Sequence, residues 1–335
     1  MATKQQVEEM LEQVIVPTVL RSVKDMNLLR SIEIAGDRVR IVLADVALAP
    51  DAREWLRKDA EEKIRVLDGV DALTVEFEPS IPKEINKIDR AIAVMSGKGG
   101  VGKSVVSALL ALALTREGRS VGILDADITG PSIPKMFGIT WRPSGSESAL
   151  LPVTSKTGIE IMSINLLLPN EDDAVIWRGP IISQSIQQFY EGVLWGRLDY
   201  LVIDLPPGTG DVPLTVMQSI PLTGVIITFT PQNLTTMVVK KAIKMAQQLN
   251  VAVIGVVENM SYFLVPETGS KIEVFGESKA PMMAKAVGAP ILGRLPLDPE
   301  LARLCDQGRI EAYESDAFQS FREAVSRVLE TLPRT

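Results

Sequence analysis

Residues 91–104, "AIAVMSGKGGVGKS", decide the fold that we predict for this chain. An apolar run at 91–95 is followed by a glycine-rich segment in which Gly97, Gly102, Lys103 and Ser104 match the pattern G-x-x-x-x-G-K-[ST]. An apolar stretch of helical length, "VVSALLALAL" (105–114), comes next. A strand, a glycine-rich loop and a helix in this order are the context that a phosphate-binding loop requires. The sequence therefore predicts a nucleotide-binding α/β domain.

The residue types of this loop explain how it would hold a nucleotide. Glycines allow backbone N–H groups to converge on phosphate oxygens, and the start of the following helix adds its dipole. Lys103 would neutralise the β- and γ-phosphates, and the Ser104 hydroxyl would ligate Mg²⁺. The residues predicted to contact ATP are Gly97, Lys98, Gly99, Gly100, Val101, Gly102, Lys103, Ser104 and Val105.

Further short apolar runs follow the loop and alternate with segments of helical length. They are "SVGILDAD" (120–127), "YLVID" (200–204), "GVIITFT" (224–230) and "VAVIGVVEN" (251–259). Runs that are apolar on both faces suit a parallel sheet covered by helices on each side. We predict a doubly wound, mainly parallel sheet of the P-loop NTPase type, which binds its ligand at the carboxyl ends of the strands.

The first 78 residues have a different pattern, which predicts a small αββαβ domain. A helical spacing near residues 5–14 precedes a hairpin, "SIEIAGDRVRIVLAD", which alternates across a Gly-Asp turn. A helix with an apolar stripe from Ala52 to Leu67 and a last strand in "VDALTVEFE" (70–78) complete the unit. Residues 79–89, with two prolines and no periodicity, are the predicted linker, and residues 90–335 form the predicted ATPase domain.

Composition excludes several kinds of site. The 335 residues include no histidine and one cysteine, Cys305, so neither a histidine base nor an intrachain disulfide is possible. The net charge of −7 argues against a nucleic-acid partner. The start "MATKQQVEEM" lacks the pattern of a secretory signal, and the apolar run at 105–114 is shorter than the roughly 20 residues that cross a bilayer. We therefore predict a cytoplasmic protein with no membrane partner.

Aspartates follow two of the predicted strands. Asp204, at the end of "YLVID", is placed as a Walker-B carboxylate is, where it can hold Mg²⁺, and Gly208 lies in the loop beyond it. Asp125 and Asp127 end the run "GILDAD". Since the chain has no histidine, a carboxylate, an amide or the backbone must orient the attacking water, and Asp127 is the candidate. A helix-capping or turn role for Asp127 is the alternative.

These motifs together resemble a known family. The "KGGVGKS" segment, with a lysine directly after Gly97, resembles the deviant Walker A loop of the class that includes MinD, ParA and the nitrogenase iron protein. Four other stretches are similar to the Mrp/ApbC iron–sulfur cluster carriers: "DADITGPSIP", "WRGP" (177–180), "DYLVIDLPPGTGD" and "GVVENMSYF". The small N-terminal unit resembles the assembly domain that commonly precedes these ATPases.

The resemblance implies an activity and a role for each matching residue. It implies a homodimer that binds and hydrolyses ATP between its subunits and transfers clusters to apoproteins, with cluster-assembly proteins as further partners. Lys98 would reach the phosphates of the partner's nucleotide, so that Lys98, Lys103 and Asp127 would be the catalytic residues. Ser104 and Asp204 would serve Mg²⁺, and Asn259 would contact the adenine.

The chain departs from the family where the cargo would bind. Family members carry a C-x-x-C after "NMSYF", and here Val265 and Thr268 stand in its place. Neither side chain can ligate iron, so a [4Fe–4S] cluster would need other donors. Cys305 is the remaining candidate ligand, with a packed helical cysteine as the alternative. An ATP-switched dimeric scaffold or regulator with no cluster is therefore the second functional hypothesis, and a partition or cell-division ATPase, which lacks support from a basic composition, is the third.

Overall fold

The computed structural model describes residues 2–17, 19–127, 130, 132–146, 149–168 and 179–332, with side chains described except at 179–183 and 233–240. Two compact units make up the chain. Unit 1 comprises Met1–Ile88, Arg142–Thr154 and Gln188–Leu198, and unit 2 comprises Asp89–Trp141, Ser155–Gln187 and Asp199–Thr335. Unit 1 thus includes two segments that lie beyond the predicted linker. The domain boundaries at residues 78 and 90 stay a prediction.

Unit 1 contains a three-stranded sheet in the order β1–β2–β3. Its strands are β1 (Leu29–Ala35), β2 (Arg38–Asp45) and β3 (Ala72–Pro79), and its helices are α1 (Lys4–Leu11), α2 (Pro50–Ile64) and α3 (Pro82–Ile85). Strands β1 and β2 pair antiparallel, and β3 lies parallel to β2. Two-residue strands are Ile15–Val16, Arg21–Ser22, Lys87–Ile88, Val153–Thr154 and Arg197–Leu198. The αββαβ order that the sequence predicted is present.

Local chemistry explains the elements of unit 1. Gly36, with φ +67°, provides the left-handed residue that the β1–β2 turn uses. Helix α2 starts with Pro50 at its first position and buries Leu56, Ala60 and Ile64. The helix ends at Ile64, one turn before the Leu67 that the apolar stripe predicted, because Leu67 forms a turn with Ile64 instead. The stripe therefore continues beyond the helix itself.

Residues 79–89 contain regular structure although the sequence predicted a linker. After β3 ends at Pro79, helix α3 starts, and Lys87–Ile88 then pairs in parallel with Arg197–Leu198. The Asn86 amide oxygen accepts hydrogen bonds from the backbone N–H groups of Trp195 (2.8 Å) and Gly196 (3.1 Å). These long-range bonds are invisible to a reading based on local periodicity.

Seven strands of unit 2 are hydrogen-bonded neighbours in one sheet, in the order β10–β9–β8–β4–β7–β5–β6. Every neighbouring pair is parallel. The strands are β4 (Ala91–Ser96), β5 (Val121–Asp125), β6 (Glu160–Ser163), β7 (Tyr200–Asp204), β8 (Gly224–Phe229), β9 (Val253–Glu258) and β10 (Ile291–Arg294). Strands β4, β5 and β7 are buried along their whole length, as expected of a sheet covered on both faces.

Eight helices follow α3 in the described chain. They are α4 (Lys103–Thr115), α5 (Ile133–Met136), α6 (Gly179–Gly192), α7 (Asp211–Ser219), α8 (Asn233–Gln248), α9 (Ala280–Val287), α10 (Pro299–Asp306) and α11 (Asp316–Leu329). Short 3₁₀ turns cover Ile164–Leu167 and Ile310–Ala312. Two further strands of two residues each, Phe263–Leu264 and Lys271–Ile272, pair antiparallel as a hairpin. No helix in the described ranges is both long and apolar enough to span a membrane.

Strand order brings the predicted polar residues to one edge of the sheet. Strand β7 lies between β4 and β5, and in its register Asp204 pairs with Asp125 on β5 and with Val94 on β4. The phosphate-binding loop leaves β4 two residues beyond Val94 and enters α4. Carboxyl ends of parallel strands thus meet at the place where this fold class binds ligands.

Candidate nucleotide-binding site

The loop between β4 and α4 surrounds a cavity of about 310 Å³. Gly102 is the N-cap of α4 and has a left-handed conformation, with φ +75°, and Gly100 has φ +76°. The cavity is lined by Ser96, Lys98, Gly99, Gly100, Val101, Gly102, Lys103, Ser104, Val105, Asp127, Ser132, Met136 and Pro207. Backbone N–H groups at the start of α4 have no helical acceptor and can bind phosphate oxygens.

Lys103 is the centre of the charge arrangement. Its side chain is only 5% exposed, and its Nζ lies 2.7 Å from Asp204 Oδ1 and 3.7 Å from Asp127 Oδ2. The predicted residues Lys103, Asp127 and Asp204 are therefore brought together. A buried ammonium requires such compensation, because an unpaired charge away from water is very costly.

Asp204 is fully buried and accepts three side-chain hydrogen bonds. Oδ1 receives Lys103 Nζ at 2.7 Å and Ser107 Oγ at 2.6 Å, and Oδ2 receives Ser104 Oγ at 2.5 Å. Sequence reasoning did not select Ser107. The available signal was a hydroxyl, one helical turn after Lys103, inside the apolar run of α4.

Asp125 lies next to this group on the neighbouring strand. Burial, together with the negative charge of Asp204, raises the pKa of the Asp125 carboxyl to about 8. Its Oδ1 accepts the Asp127 backbone N–H at 3.2 Å, and its Oδ2 accepts the Ser163 hydroxyl at 3.1 Å. Asp125 therefore holds its proton at neutral pH, and its backbone bond fixes the start of the segment that carries Asp127.

Two loops after β7 and β9 are tied to the phosphate-binding loop. The Gly208 backbone N–H donates to Ser96 O at 2.9 Å, and the Asn259 side-chain Nδ2 donates to Val101 O at 2.9 Å. A Cβ atom on Gly102 would lie 2.2 Å from Asn259 Nδ2. Gly102 is thus required by both its positive φ and its neighbour. The adenine contact that the resemblance implies for Asn259 stays a prediction.

Lys98 lies at the same cavity but does not join the carboxylates. Its side chain is half-buried, and Nζ donates to Gln232 Oε1 at 2.6 Å. Gln232, directly before helix α8, is a residue that sequence reasoning missed, because nothing in its surroundings marks it as a partner of a distant loop. The two lysines of the loop therefore have different partners within the chain.

The donors present suit Mg²⁺. Ser104 and Asp204 supply a hydroxyl and a carboxylate whose oxygens are 2.5 Å apart, and Ser104 faces the cavity. Mg²⁺ prefers oxygen ligands and is commonly held by one or two protein groups together with phosphates and waters. The chemistry of this pair fits that requirement.

Comparison with known proteins identifies two matching families. Residues 87–332 match the family model described as ParA, NUBPL iron-transfer P-loop NTPase, and residues 4–77 match the model described as iron–sulfur cluster assembly protein. The iron–sulfur cluster carrier protein of Methanocaldococcus jannaschii is 44% identical over 261 residues, which cover 77% of this chain and 90% of the relative. The chain belongs to the iron–sulfur cluster carrier family.

Other carrier family relatives extend the match. The iron–sulfur cluster carrier protein of Haemophilus influenzae is 37% identical over 339 residues and covers 96% of this chain and 90% of its own length. A nucleotide-binding protein from Archaeoglobus fulgidus, solved in complex with ADP, is 49% identical, with a TM-score of 0.63 over 70% of this chain and 92% of its own. The cell division ATPase MinD of Pyrococcus furiosus, 18% identical with a TM-score of 0.51, shares the fold.

Residues 177 and 178 of "WRGP" lie outside the described residues.

The position of the carrier family's cysteine pair is a hairpin in this chain. Val265 is half-buried and Thr268 is exposed. The Val265 carbonyl accepts the backbone N–H groups of Thr268 (3.3 Å) and Gly269 (2.8 Å), which forms a tight turn. Neither of the two side chains at this turn is an iron ligand.

A buried glutamate anchors the base of this hairpin region. Glu258, at the end of β9, is fully buried. Its Oε2 accepts the Ser261 and Ser278 hydroxyls at 2.6 and 2.7 Å, and its Oε1 accepts the Lys279 N–H at 2.6 Å. Arg294 Nε lies 3.3 Å from Oε2. Glu258 therefore fixes both ends of residues 261–278, and sequence reasoning did not identify it.

Cys305, the other candidate iron ligand, lies on helix α10 and is half-buried. Burial, with a smaller contribution from Asp306, raises the pKa of its thiol to about 11. A thiol ligates iron as the thiolate, so this environment disfavours ligation. Within the described ranges, no group of three or more cysteine, histidine, aspartate or glutamate side chains is arranged to hold a metal ion.

Proposed function

We propose that the chain binds and hydrolyses ATP as a cytoplasmic homodimer and uses this cycle to deliver iron–sulfur clusters to apoproteins. The observation that carries the proposal is the arrangement of Lys103, Ser104 and Asp204 at the phosphate-binding loop, in a chain of the cluster carrier family. The carrier relatives, matched over most of their length, support the cargo.

Each residue of the loop has a definite role in this proposal. Lys103 turns from Asp204 to the β- and γ-phosphates, while the loop N–H groups hold phosphate oxygens. Ser104 and Asp204 hold Mg²⁺, which would offset negative charge on the phosphates. Asp127, whose carboxylate lies 3.7 Å from Lys103 Nζ, orients the attacking water. Phosphoryl transfer depends mainly on such positioning and charge compensation.

Lys98 supplies the reason for a dimer. Its ammonium lies at the cavity, yet its partner is Gln232 and not a carboxylate of the site. The resemblance assigns it to the nucleotide of the second subunit. On this proposal Lys98 leaves Gln232 when two subunits close around their nucleotides, and hydrolysis requires that closure.

Replacement of Lys98 tests the dimer. Lys98→Ala should abolish ATP hydrolysis and nucleotide-dependent dimerisation, measured by phosphate release and by light scattering, while affinity for ATP stays within a few-fold of the parent. Lys285→Ala, which removes an exposed lysine from α9, is the matched control and should behave as the parent. Normal turnover by the Lys98 variant would disprove the dimer mechanism.

The cluster itself would be held weakly, or with ligands from a partner, because Val265 and Thr268 cannot bind iron. Anaerobic reconstitution with iron and sulfide tests this cargo. Bound iron with a broad absorbance near 400 nm in the parent protein, retained in Cys305→Ser, would show that donors other than Cys305 are sufficient. The double variant Val265→Cys, Thr268→Cys should bind more iron than the parent, because the hairpin then presents four thiolates in a dimer.

A second function, an ATP-switched dimeric scaffold without a cluster, is favoured by the same two side chains. On that hypothesis the parent protein stays free of iron after reconstitution and still hydrolyses ATP. Delivery to an iron–sulfur apoenzyme separates the two functions: recovery of the apoenzyme's activity that depends on this protein supports the carrier, and no recovery supports the scaffold.

A further inference from the structure

Ser107 is a buried hydroxyl in a helix whose neighbouring residues are apolar. It is 0% exposed and lies between Val106 and Ala108, which are also fully buried. Its Oγ lies 2.6 Å from Asp204 Oδ1 and 3.2 Å from the carbonyl of Lys103, one turn earlier in α4. A hydroxyl has one proton, and a carboxylate is the stronger acceptor, so Ser107 donates to Asp204.

The other two donors of Asp204 belong to the nucleotide site. Lys103 and Ser104 both line the cavity, and general P-loop chemistry assigns them to phosphates and Mg²⁺. Ser107 does not line the cavity and has no exposed surface. It is therefore the donor that stays on Asp204 when Lys103 and Ser104 bind other partners.

We propose that Ser107 is a positioning residue that holds Oδ1 of Asp204, so that Oδ2 remains directed at Ser104 for Mg²⁺. This inference rests on the proposed function, which gives Asp204 its role toward the metal. A carboxylate held by a fixed donor needs no reorientation when the metal arrives, and such supporting bonds commonly change metal affinity by 10- to 100-fold. Without Ser107, Asp204 would lose its remaining direct donor and rotate.

A control with the same geometry exists in the chain. The Ser261 hydroxyl is also 0% exposed and also donates at 2.6 Å to a fully buried carboxylate, that of Glu258. Replacement of either serine by alanine deletes a buried hydroxyl–carboxylate bond, and at Ser261 it also deletes the bond that Oγ accepts from Arg294 Nε at 3.0 Å. Ser261→Ala should therefore lower the unfolding midpoint at least as much as Ser107→Ala does, while Ser107→Ala alone should affect the metal.

The test measures binding of a fluorescent ADP analogue against Mg²⁺ concentration. In Ser107→Ala the Mg²⁺ concentration that gives half of the affinity enhancement should rise about tenfold, as expected for loss of a hydrogen bond to a charged group. Affinity in EDTA should stay within twofold of the parent, and Ser261→Ala should show the parent's Mg²⁺ dependence. Ser107→Cys keeps the side-chain connectivity but replaces the hydroxyl by a larger, weaker donor, and it should resemble Ser107→Ala in its Mg²⁺ dependence.

Two results would overturn the inference. A parent-like Mg²⁺ dependence in Ser107→Ala, with a lowered unfolding midpoint, would leave Ser107 with a structural role alone. An equal change in Ser261→Ala would show that the effect is general destabilisation. Failure of the proposed function is distinct, because Asp204→Asn would then also leave the Mg²⁺ dependence of nucleotide binding unchanged.

Discussion

Two fully buried carboxylates, Asp204 and Glu258, end strands of the same parallel sheet and have different surroundings. Asp204 accepts hydrogen bonds from Lys103, Ser104 and Ser107. Of these donors, Lys103 and Ser104 line the nucleotide cavity. Glu258 receives two serine hydroxyls, a backbone N–H and Arg294, all of which fix the hairpin region. Both acids are fully hydrogen-bonded, yet the donors of one can exchange and those of the other cannot.

This difference shows how a carboxylate of the nucleotide site can be distinguished from one that only stabilises a loop. Both residues are fully buried and both accept at least three hydrogen bonds, so neither property identifies function. The identity of the donors does, because Lys103 and Ser104 have alternative partners in a bound nucleotide and its metal. Glu258 has donors from one loop and its return strand, and their exchange would release that loop.

The largest effect expected is on catalysis. Asp204→Asn removes the charge and one metal oxygen with little change of shape, and kcat for ATP hydrolysis should fall by about 10²- to 10³-fold. The protein should stay folded, since Asp127 remains 3.7 Å from Lys103. Phosphate release measures kcat, and circular dichroism measures whether the variant is folded. Parent-like turnover would show that Asp204 is an anchor like Glu258.

The matched substitution at the other carboxylate should affect stability instead. Glu258→Gln turns an amide NH₂ toward N–H donors that cannot reverse, and loss of these bonds should lower the free energy of unfolding by about 2–3 kcal/mol. Chemical denaturation measures this cost, and ATP turnover at low temperature should stay within a few-fold of the parent. A large loss of turnover at unchanged stability would make Glu258 part of the site.

Alanine substitutions at Gly102 and Gly100 test how much the contact between Gly102 and Asn259 contributes to stability. Gly102 and Gly100 have nearly equal φ, so alanine at either should cost about 1 kcal/mol of backbone strain. At Gly102 the new Cβ also displaces Asn259 from Val101, whereas at Gly100 it meets no atom within 4 Å. Gly102→Ala should therefore lower the free energy of unfolding by about 1 kcal/mol more than Gly100→Ala, which calorimetry measures. It should also weaken the affinity for ATP, which nucleotide titration measures. Equal losses would mean that the Asn259 contact contributes nothing.

The smallest effect concerns the thiol of Cys305. With its pKa raised to about 11, only about one thiol in a thousand is ionised at pH 8. The thiolate is lost as pH falls below 11, so the rate of alkylation by iodoacetamide in the folded protein should rise about tenfold per pH unit between pH 7 and 10. Mass spectrometry follows the reaction. Rapid alkylation at pH 7 would indicate an ionised thiol suited to iron.

Much of the nucleotide site could be predicted because its signals are local. The loop motif lies in one continuous segment, Asp204 is the last residue of strand β7, and Asp127 follows the end of strand β5 by two residues. Strand order then brings these ends together by a general rule of parallel sheets. Helix α8 (Asn233–Gln248) likewise lies in one of the segments of helical length that alternate with the apolar runs.

The remaining features depend on contacts between distant segments. Ser107, Gln232 and Glu258 form hydrogen bonds with partners 97, 134 and 20 residues away in sequence, respectively. The predicted linker is ordered by Asn86, whose acceptors and donors lie at 193–196. Local periodicity reports which face of an element is buried and contains no information on which atoms meet there.

The ion pair between Lys103 and Asp204 has a consequence for ligand selection. A nucleotide phosphate is a second anion for an ammonium that already has one, and two anions repel strongly where water is excluded. A divalent cation reverses that repulsion because it attracts both. ATP and Mg²⁺ are therefore coupled thermodynamically, and each must raise the affinity for the other by the same factor. On the proposed function, this counter-ion would make the protein selective for the magnesium complex over free ATP.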